Sequence, residues 1–508
     1  MTLQPDKVVV VGAGVGGLAA AMRLAHAGLE VTLADMHAAP GGKMRTLPST
    51  AGPVDAGPTV LTMRSVFDAL FEDVGRSLNQ YVTLIRQETL ARHFWPDGAQ
   101  LDLHADPEAS AAAMRGFAGP RAEAEFRAFS DRAARLFNAF EAPVMQAPAP
   151  TLGALSRHVM AQPSLALSMA PFASLAQLLR RQFSDPRLRQ LFGRYATYVG
   201  GSPDLSPAIL ALIWHAEASG VWRVKGGMHR LARAMADVAS EHGATLLFGQ
   251  RATRIEMQDG RAAGVHLADG TRLACNAVVF AGDPRALATG QLGASAAGAA
   301  PIAGKAGRSL SANVWSFAAR IEGPELAHHN VFFGADPRSE FSPLEAGALP
   351  EDPTLYICAE DRGTGSKPPE LERFEIIMNA PPLPGGQPKD AFSCRTRTFP
   401  ILRSFGLCFD PEPPDSALTT PAGFEALCPG SQGSLYGQSP HGLMAAFQRP
   451  VARTKIPGLY LAGGGAHPGA GVPMATLSGR HAAEAIRTDL ASTSTCRRTA
   501  MRGGMSTA

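Results

Sequence analysis

The chain has 508 residues, of which 45% are hydrophobic and 18% charged, and its formal net charge is +3. The length allows about three domains or fewer large ones, the charge is too mild for a nucleic-acid surface, and the low charged fraction favours some contact with an apolar phase. Six cysteines, at 275, 358, 394, 408, 428 and 496, form no C-x-x-C pair and no regular spacing, which argues against a metal site and a disulfide framework and fits a reduced compartment.

The first element begins at four consecutive valines, Val8 to Val11, an apolar run suited to a strand buried on both faces. A glycine turn follows, then a helix in which Leu18, Ala21, Met22 and Ala25 share a face and Gly28 marks the stop. Leu29 to Ala34 closes a β-α-β unit that ends in Asp35. Gly12, Gly14 and Gly17 hold the G-x-G-x-x-G positions of a dinucleotide fold: a tight turn, close approach of backbone amides to a pyrophosphate, and close helix–strand packing. Asp35 is placed to accept hydrogen bonds from a ribose. Asp6 and Lys7 lead straight into this unit, so the N-terminus is not read as an export signal.

Two glycine- and proline-rich elements follow, Gly41-Gly42-Lys43-Met44-Arg45 and Asp55-Ala56-Gly57-Pro58-Thr59. Taken alone they are surface turns or an extension of the phosphate-binding surface. With the glycine triplet and its acid, they resemble the FAD-binding N-terminus of the phytoene desaturase and amine oxidase group of flavoproteins. The resemblance implies FAD contacts at Gly42, Lys43, Arg45, Gly57, Pro58 and Thr59. Lys43 stands where arginine is common, keeping the charge but losing the bidentate fork.

From about residue 105 to 207, alanine-, leucine- and proline-rich segments predict short helices. Val159 to Leu179 holds no charged residue, yet contains Pro163 and Pro171, and Arg180 and Arg181 follow it. A buried helical subdomain, an interfacial membrane patch and a true span all remain open. Arg194, Tyr195 and Tyr198 are candidates for a substrate pocket or its mouth, or else a helix-end cluster.

Met228, Leu231, Ala232, Met235, Val238 and Ala239 share one face of a further helix ended by Gly243. Thr245 to Ile255 reads as a strand pair, Asp269-Gly270 as a hairpin turn and Ala277 to Ala281 as a buried strand. This block resembles the second FAD-domain segment of the same group, which implies that the backbone near Ala252 touches the adenine. Residues 301–449 carry irregular strands with no nucleophile–base or metal-ligand constellation, and predict a mixed sheet walling a substrate cavity. His328-His329 reads as a polar turn, since adjacent residues on a strand face opposite ways.

The second anchor is the glycine-rich loop from Gly463 to Gly471, after a strand at Leu459 to Ala462 and before a helix opened by Pro473. Gly463, Gly464, Val472 and Met474 are candidate flavin contacts, and the helix N-terminus suits negative charge on a reduced flavin. The pattern G-x-H-P-G-A-G-x-P from Gly465 to Pro473 resembles the C-terminal signature of bacterial carotenoid desaturases. The longer segment to Gly479 looks most like the purple-bacterial branch that acts on carotenoids of the hydroxyneurosporene and methoxyneurosporene type. Gly465 replaces the acidic residue of amine oxidases, which argues against that branch. His467 stands beside the expected flavin as either a proton relay or a structural loop histidine.

The resemblance implies an α/β fold in which an FAD-binding Rossmann-like domain (1–104, 225–300 and 455–490) is interleaved with a mixed-sheet-plus-helix substrate and membrane-facing domain (105–224 and 301–454), with 491–508 a disordered tail. It further implies an FAD-dependent enzyme that introduces a C3,4 double bond into 1-hydroxy- or 1-methoxy-carotenoids. Such an enzyme is expected to be peripheral on the cytoplasmic side of an inner photosynthetic membrane, with its electron acceptor unassigned. Phytoene desaturation, flavin-dependent carotene isomerisation and non-catalytic flavin and carotenoid binding are the rival expectations.

Overall fold

The computed structural model describes residues 5–383, 391–442 and 444–502. Lys7–Val11 buries every side chain but its first and pairs in parallel with Ala277–Phe280 on one side and Glu30–Asp35 on the other. A central parallel strand is covered on both faces, which is why a plain valine run serves here. The full parallel sheet runs Leu459–Leu461, Ala277–Phe280, Lys7–Val11, Glu30–Asp35, Thr245–Phe248. Three distant parts of the chain thus build one nucleotide-binding layer.

The expected strand pair at Thr245 to Ile255 resolves differently. Thr245–Phe248 is the edge of the parallel sheet, while Ala252–Gln258 belongs to a separate three-stranded antiparallel sheet. That sheet turns at Asp269-Gly270 as the sequence indicates, with Gly270 at φ +90°. The helix Val15–His26 ends where Gly28 predicts: Gly28 N–H bonds to Ala25 O and Leu29 N–H to Leu24 O, the paired closing bonds of a Schellman stop.

The second layer is an eight-stranded mixed sheet. Its main path runs Cys408–Asp410, Ser311–Glu322, Glu372–Ala380, Leu355–Ala359, His329–Phe332, Thr89–Phe94, Gln100–His104. The last two strands correct the domain boundary: Thr89–Phe94 pairs in parallel with His329–Phe332, so this part of 1–104 belongs with the substrate layer. Val314, Ile377, Tyr356 and Val331 are neighbours in register across four strands. Their sequence neighbours Trp315, Ile376, Ile357 and Phe332 form the opposite face, packed with Phe399 and Leu402 of the helix Ala391–Ser404. Strand alternation thus gives one face to a core and the other to a cavity.

Helices cover the far side of that cavity. Pro107–Phe140 is interrupted at Ala118 and Gly119, just before Pro120, and Leu152–Met160, Pro163–Met169, Leu175–Gln182 and Pro186–Gly193 follow. Among the described residues no helix is long and apolar enough to cross a membrane. The uncharged stretch at 159–179 divides its apolar side chains: Leu165, Leu175, Leu178 and Leu179 are buried, while Met160, Leu167 and Phe172 are exposed. At the C-terminus the helix Val472–Arg502 corrects the expected disorder from 491 onward, because Ala491 to Arg502 contains no glycine or proline to stop it. Residues 503–508 of that expectation lie outside the described residues.

Candidate active site

A cavity of about 710 Å³ runs between the two layers. It is lined by Asp35, Gln250 and Ala252, by Gly12, Gly14, Gly42, Lys43, Gly463 and Gly464, and by Gly57, Pro58, Thr59 and Val472. The mixed sheet contributes Tyr356, Ile377 and Val331 to the same lining, and the helical cover contributes Arg194 and Tyr198. Most residues singled out from sequence therefore share one wall.

The glycines show why the residue type matters. A Cβ on Gly17 would lie 2.0 Å from Gly12 O, so the helix sits directly on the turn. A Cβ on Gly16 would lie 2.5 Å from Gly463 N, so the two glycine loops abut. By contrast a Cβ on Gly14 meets no protein atom within 4 Å, although Gly14 lines the cavity. Gly464 and Gly471 have their nearest neighbours at 3.9 and 4.0 Å. These three positions form a cradle that side chains would fill. The helix Val15–His26 has no side-chain cap and no acid in its first turn, leaving its N–H groups and positive dipole end for an anion. The cradle, the free helix end and the acid at Asp35 fit a flavin dinucleotide.

Several predicted contacts do other work. Asp35 is buried, and its carboxylate accepts N–H bonds from Ala13 at 2.6 Å and His37 at 2.7 Å. Lys43 lines the cavity while its Nζ donates to the carbonyls of Leu435 at 2.6 Å and Ser434 at 3.2 Å. Arg45 is absent from the wall: it donates to Thr419 Oγ1 at 2.7 Å, and burial lowers its pKa against the opposing pull of Glu375. Met474 also falls outside the wall, where Pro473 and Ala475 stand instead. Helix geometry explains this, because successive residues point some 100° apart.

His467 corrects the proton-relay expectation. It is buried outside the wall, its Nε2 bonds to Ala147 O at 2.8 Å, and its ring stacks on His481. Burial lowers its pKa. It ties the flavin loop to the segment after the long helix, the structural alternative. Gly465 has a similar steric explanation: a Cβ there would lie 2.5 Å from Pro284 Cδ, so no acidic side chain fits.

Arg194 and Tyr198 reach the cavity, whereas Tyr195 lies behind them, buried. All three converge on buried Glu217: Tyr195 OH donates at 2.7 Å, Tyr198 OH at 2.5 Å and Arg194 Nη2 at 3.3 Å. The guanidinium also lies over both tyrosine rings, 4.9 and 5.3 Å from their centroids. The positions are thus a locked cluster with one polar face on the cavity.

The wall, and the side chains buried behind it, hold polar groups that sequence reading missed. Tyr356 OH is 2.7 Å from Thr59 Oγ1 and 2.7 Å from His329 Nδ1. His328 and His329 are both buried with ring centroids 4.5 Å apart, which corrects the polar-turn reading. Glu340, also buried, accepts from Thr354 Oγ1 at 2.6 Å and Asn379 Nδ2 at 2.9 Å, and burial raises its pKa to about 7. Arg449 donates to the carbonyls of Gly464, Tyr436 and Gln438, fastening the second glycine loop; burial brings its pKa down to about 10. No local motif announces these residues, since each depends on strand register or on a partner far along the chain.

Comparison with known proteins agrees with this geometry. The family model for flavin containing amine oxidoreductases matches residues 15–312 and 396–487. The hydroxyneurosporene desaturase of Cereibacter sphaeroides is 59% identical over 96% of this chain and 99% of its own length. Those of Rhodobacter capsulatus and Rubrivivax gelatinosus are 51% and 44% identical, over 95% and 99% of this chain and 98% of each relative. Among solved structures, putrescine oxidase bound to putrescine superposes with a TM-score of 0.59 at 15% identity, covering 95% of this chain and 99% of that one. Cyclohexylamine oxidase from Brevibacterium oxydans gives 0.57 at 17% identity, covering 96% and 99%. At such identities the solved structures speak to the fold, and the desaturases to the family. The chain belongs to the flavin containing amine oxidoreductase family, in the carotenoid desaturase branch that these relatives define.

Proposed function

We propose that this protein is an FAD-dependent carotenoid desaturase that introduces the C3,4 double bond into 1-hydroxy- or 1-methoxy-carotenoids. One observation carries the reading: the glycine cradle opens without interruption into a cavity walled by Val314, Ile377 and Val331, so a long apolar substrate and a flavin share one space. Bound FAD supplies a hydride acceptor. Gly14, Gly464 and Gly471 leave room for it, and the ends of Val15–His26 and Val472–Arg502 offer unpaired N–H groups. The aliphatic register row excludes water and holds the polyene flat. Arg194 and Tyr198 present the polar face that suits an oxygen-bearing end group.

Delivery of a carotenoid calls for a lipid surface. Met160, Leu167 and Phe172 are 78%, 81% and 96% exposed. They precede the helix Leu175–Gln182, whose Leu179 and Arg180 line the cavity. This supports peripheral attachment with the cavity opening toward the bilayer, its rim cations meeting anionic headgroups. Cys275, Cys358, Cys408 and Cys428 are free thiols, which suits the reducing, cytoplasmic face of the inner photosynthetic membrane.

The test is competition between hydroxyneurosporene, neurosporene and phytoene in the same liposomes. A site that pairs an end-group oxygen leaves buried polar groups unpaired when a bare hydrocarbon enters, so hydroxyneurosporene should lead by roughly tenfold or more in kcat/KM. Equal turnover, or a preference for phytoene, would overturn the substrate assignment.

A further inference from the structure

We infer that Tyr356 takes the proton released as the double bond forms, and that His329 stands behind it as the positioning residue that receives the tyrosine's own proton. The inference rests on the desaturase reading above. Tyr356 lines the cavity, and its hydroxyl is held between Thr59 and His329, 2.7 Å from each. Thr59 closes the glycine-proline turn of the flavin cradle, while Tyr356 belongs to the register row of the substrate sheet. The hydroxyl therefore sits where a residue of the cradle and a residue of the substrate sheet meet, inside the cavity that both line.

His329 is 2% exposed, and its Nε2 has no partner among the described residues. Burial, with His328 and Arg194 nearby, pushes its pKa well below the ordinary histidine value, so the ring is uncharged at neutral pH. With the ring proton on Nε2, Nδ1 accepts from Tyr356 OH, and Tyr356 accepts from Thr59. A phenol oxygen used in this way keeps a second lone pair for the cavity.

Bound FAD would supply the two-electron oxidant that takes one allylic hydrogen of the carotenoid, with its bonding pair, as hydride. The C–H bond on the adjoining carbon breaks, its electron pair becomes the second carbon–carbon bond, and its proton passes to Tyr356 Oη. The Oη–H proton moves to His329 Nδ1. A carbon beside an allylic cation is strongly acidic, so a base as weak as a buried imidazole suffices. Glu340 is the rival acceptor, held by Thr354 and by Asn379, two residues beyond Ile377 on the same strand.

The experiment uses Tyr356→Phe and His329→Asn holoenzymes in liposomes, with hydroxyneurosporene as substrate. Flavin bleaching is followed anaerobically in H2O and D2O, and turnover is followed separately with the electron acceptor present. Wild type should react more slowly in D2O, because the relayed proton is exchangeable. Tyr356→Phe should bleach about 100-fold more slowly or worse, with no solvent isotope effect. His329→Asn keeps an oxygen that accepts from Tyr356 but takes no proton, so it should lower kcat at unchanged KM and lose the isotope effect. This second variant carries the test should Tyr356→Phe fail to fold. Wild-type rates and isotope effects in both variants would overturn the proposal, as would loss of the isotope effect in Glu340→Gln alone. Wild type that is never bleached by any carotenoid would instead overturn the desaturase reading beneath it.

Discussion

Asp35 Oδ2 accepts the backbone N–H of Ala13 across a distance of 2.6 Å, so the acid that closes the first β-α-β unit also clamps the glycine turn that opens it. Asp35→Ala would leave a buried N–H without a partner, at a cost of about 1–3 kcal/mol. Both the melting temperature and FAD affinity should fall together. A variant that loses FAD affinity with unchanged apoprotein stability would show that the carboxylate serves the ribose alone.

The two glycine anchors are joined by close helix packing. A Cβ on Gly479 would lie 2.2 Å from Gly16 O, so Gly479→Ala must separate the helices Val15–His26 and Val472–Arg502. Overpacking of this kind costs about 1–3 kcal/mol, and the cradle should open with it. Denaturant titration and the FAD content of purified protein check this; wild-type values for both would contradict it.

Glu340 gives the cavity a pH signature. Its pKa is raised to about 7 by burial from an ordinary value of 4.5, so the folded state holds a proton that the unfolded state releases. The associated stability is fully present below about pH 4.5 and is lost as pH rises through about 7. Its size is on the order of 3 kcal/mol. Glu340→Gln should therefore flatten the decline of melting temperature between about pH 5 and pH 8. An unchanged slope would show that the carboxyl is already ionised in the fold.

Leu167 and Phe172 are 81% and 96% exposed, and Leu167→Asp with Phe172→Asp should abolish flotation with liposomes while leaving FAD content intact. Each such change removes roughly 1.5–3 kcal/mol of apolar transfer. Retained flotation would place the membrane contact elsewhere.

What was legible in the sequence was what is local. The turn at Gly12 to Gly17, the stop at Gly28 and the helix opened by Pro473 follow from neighbouring residues. Thr89–Phe94 went to the other layer because its partner, His329–Phe332, lies far along the chain. Tyr356 and His329 stayed hidden because their meeting depends on register between adjacent strands. His467 sits in a recognisable loop, but its direction is fixed by the carbonyl of Ala147, to which no motif refers.

The most direct test of the central claim is an anaerobic single turnover in liposomes, with flavin reduction and carotenoid product measured in the same sample. The desaturase reading predicts one new C3,4 double bond in hydroxyneurosporene for each flavin reduced. A protein that binds FAD and carotenoid yet never bleaches, or that changes the carotenoid without bleaching, would contradict it.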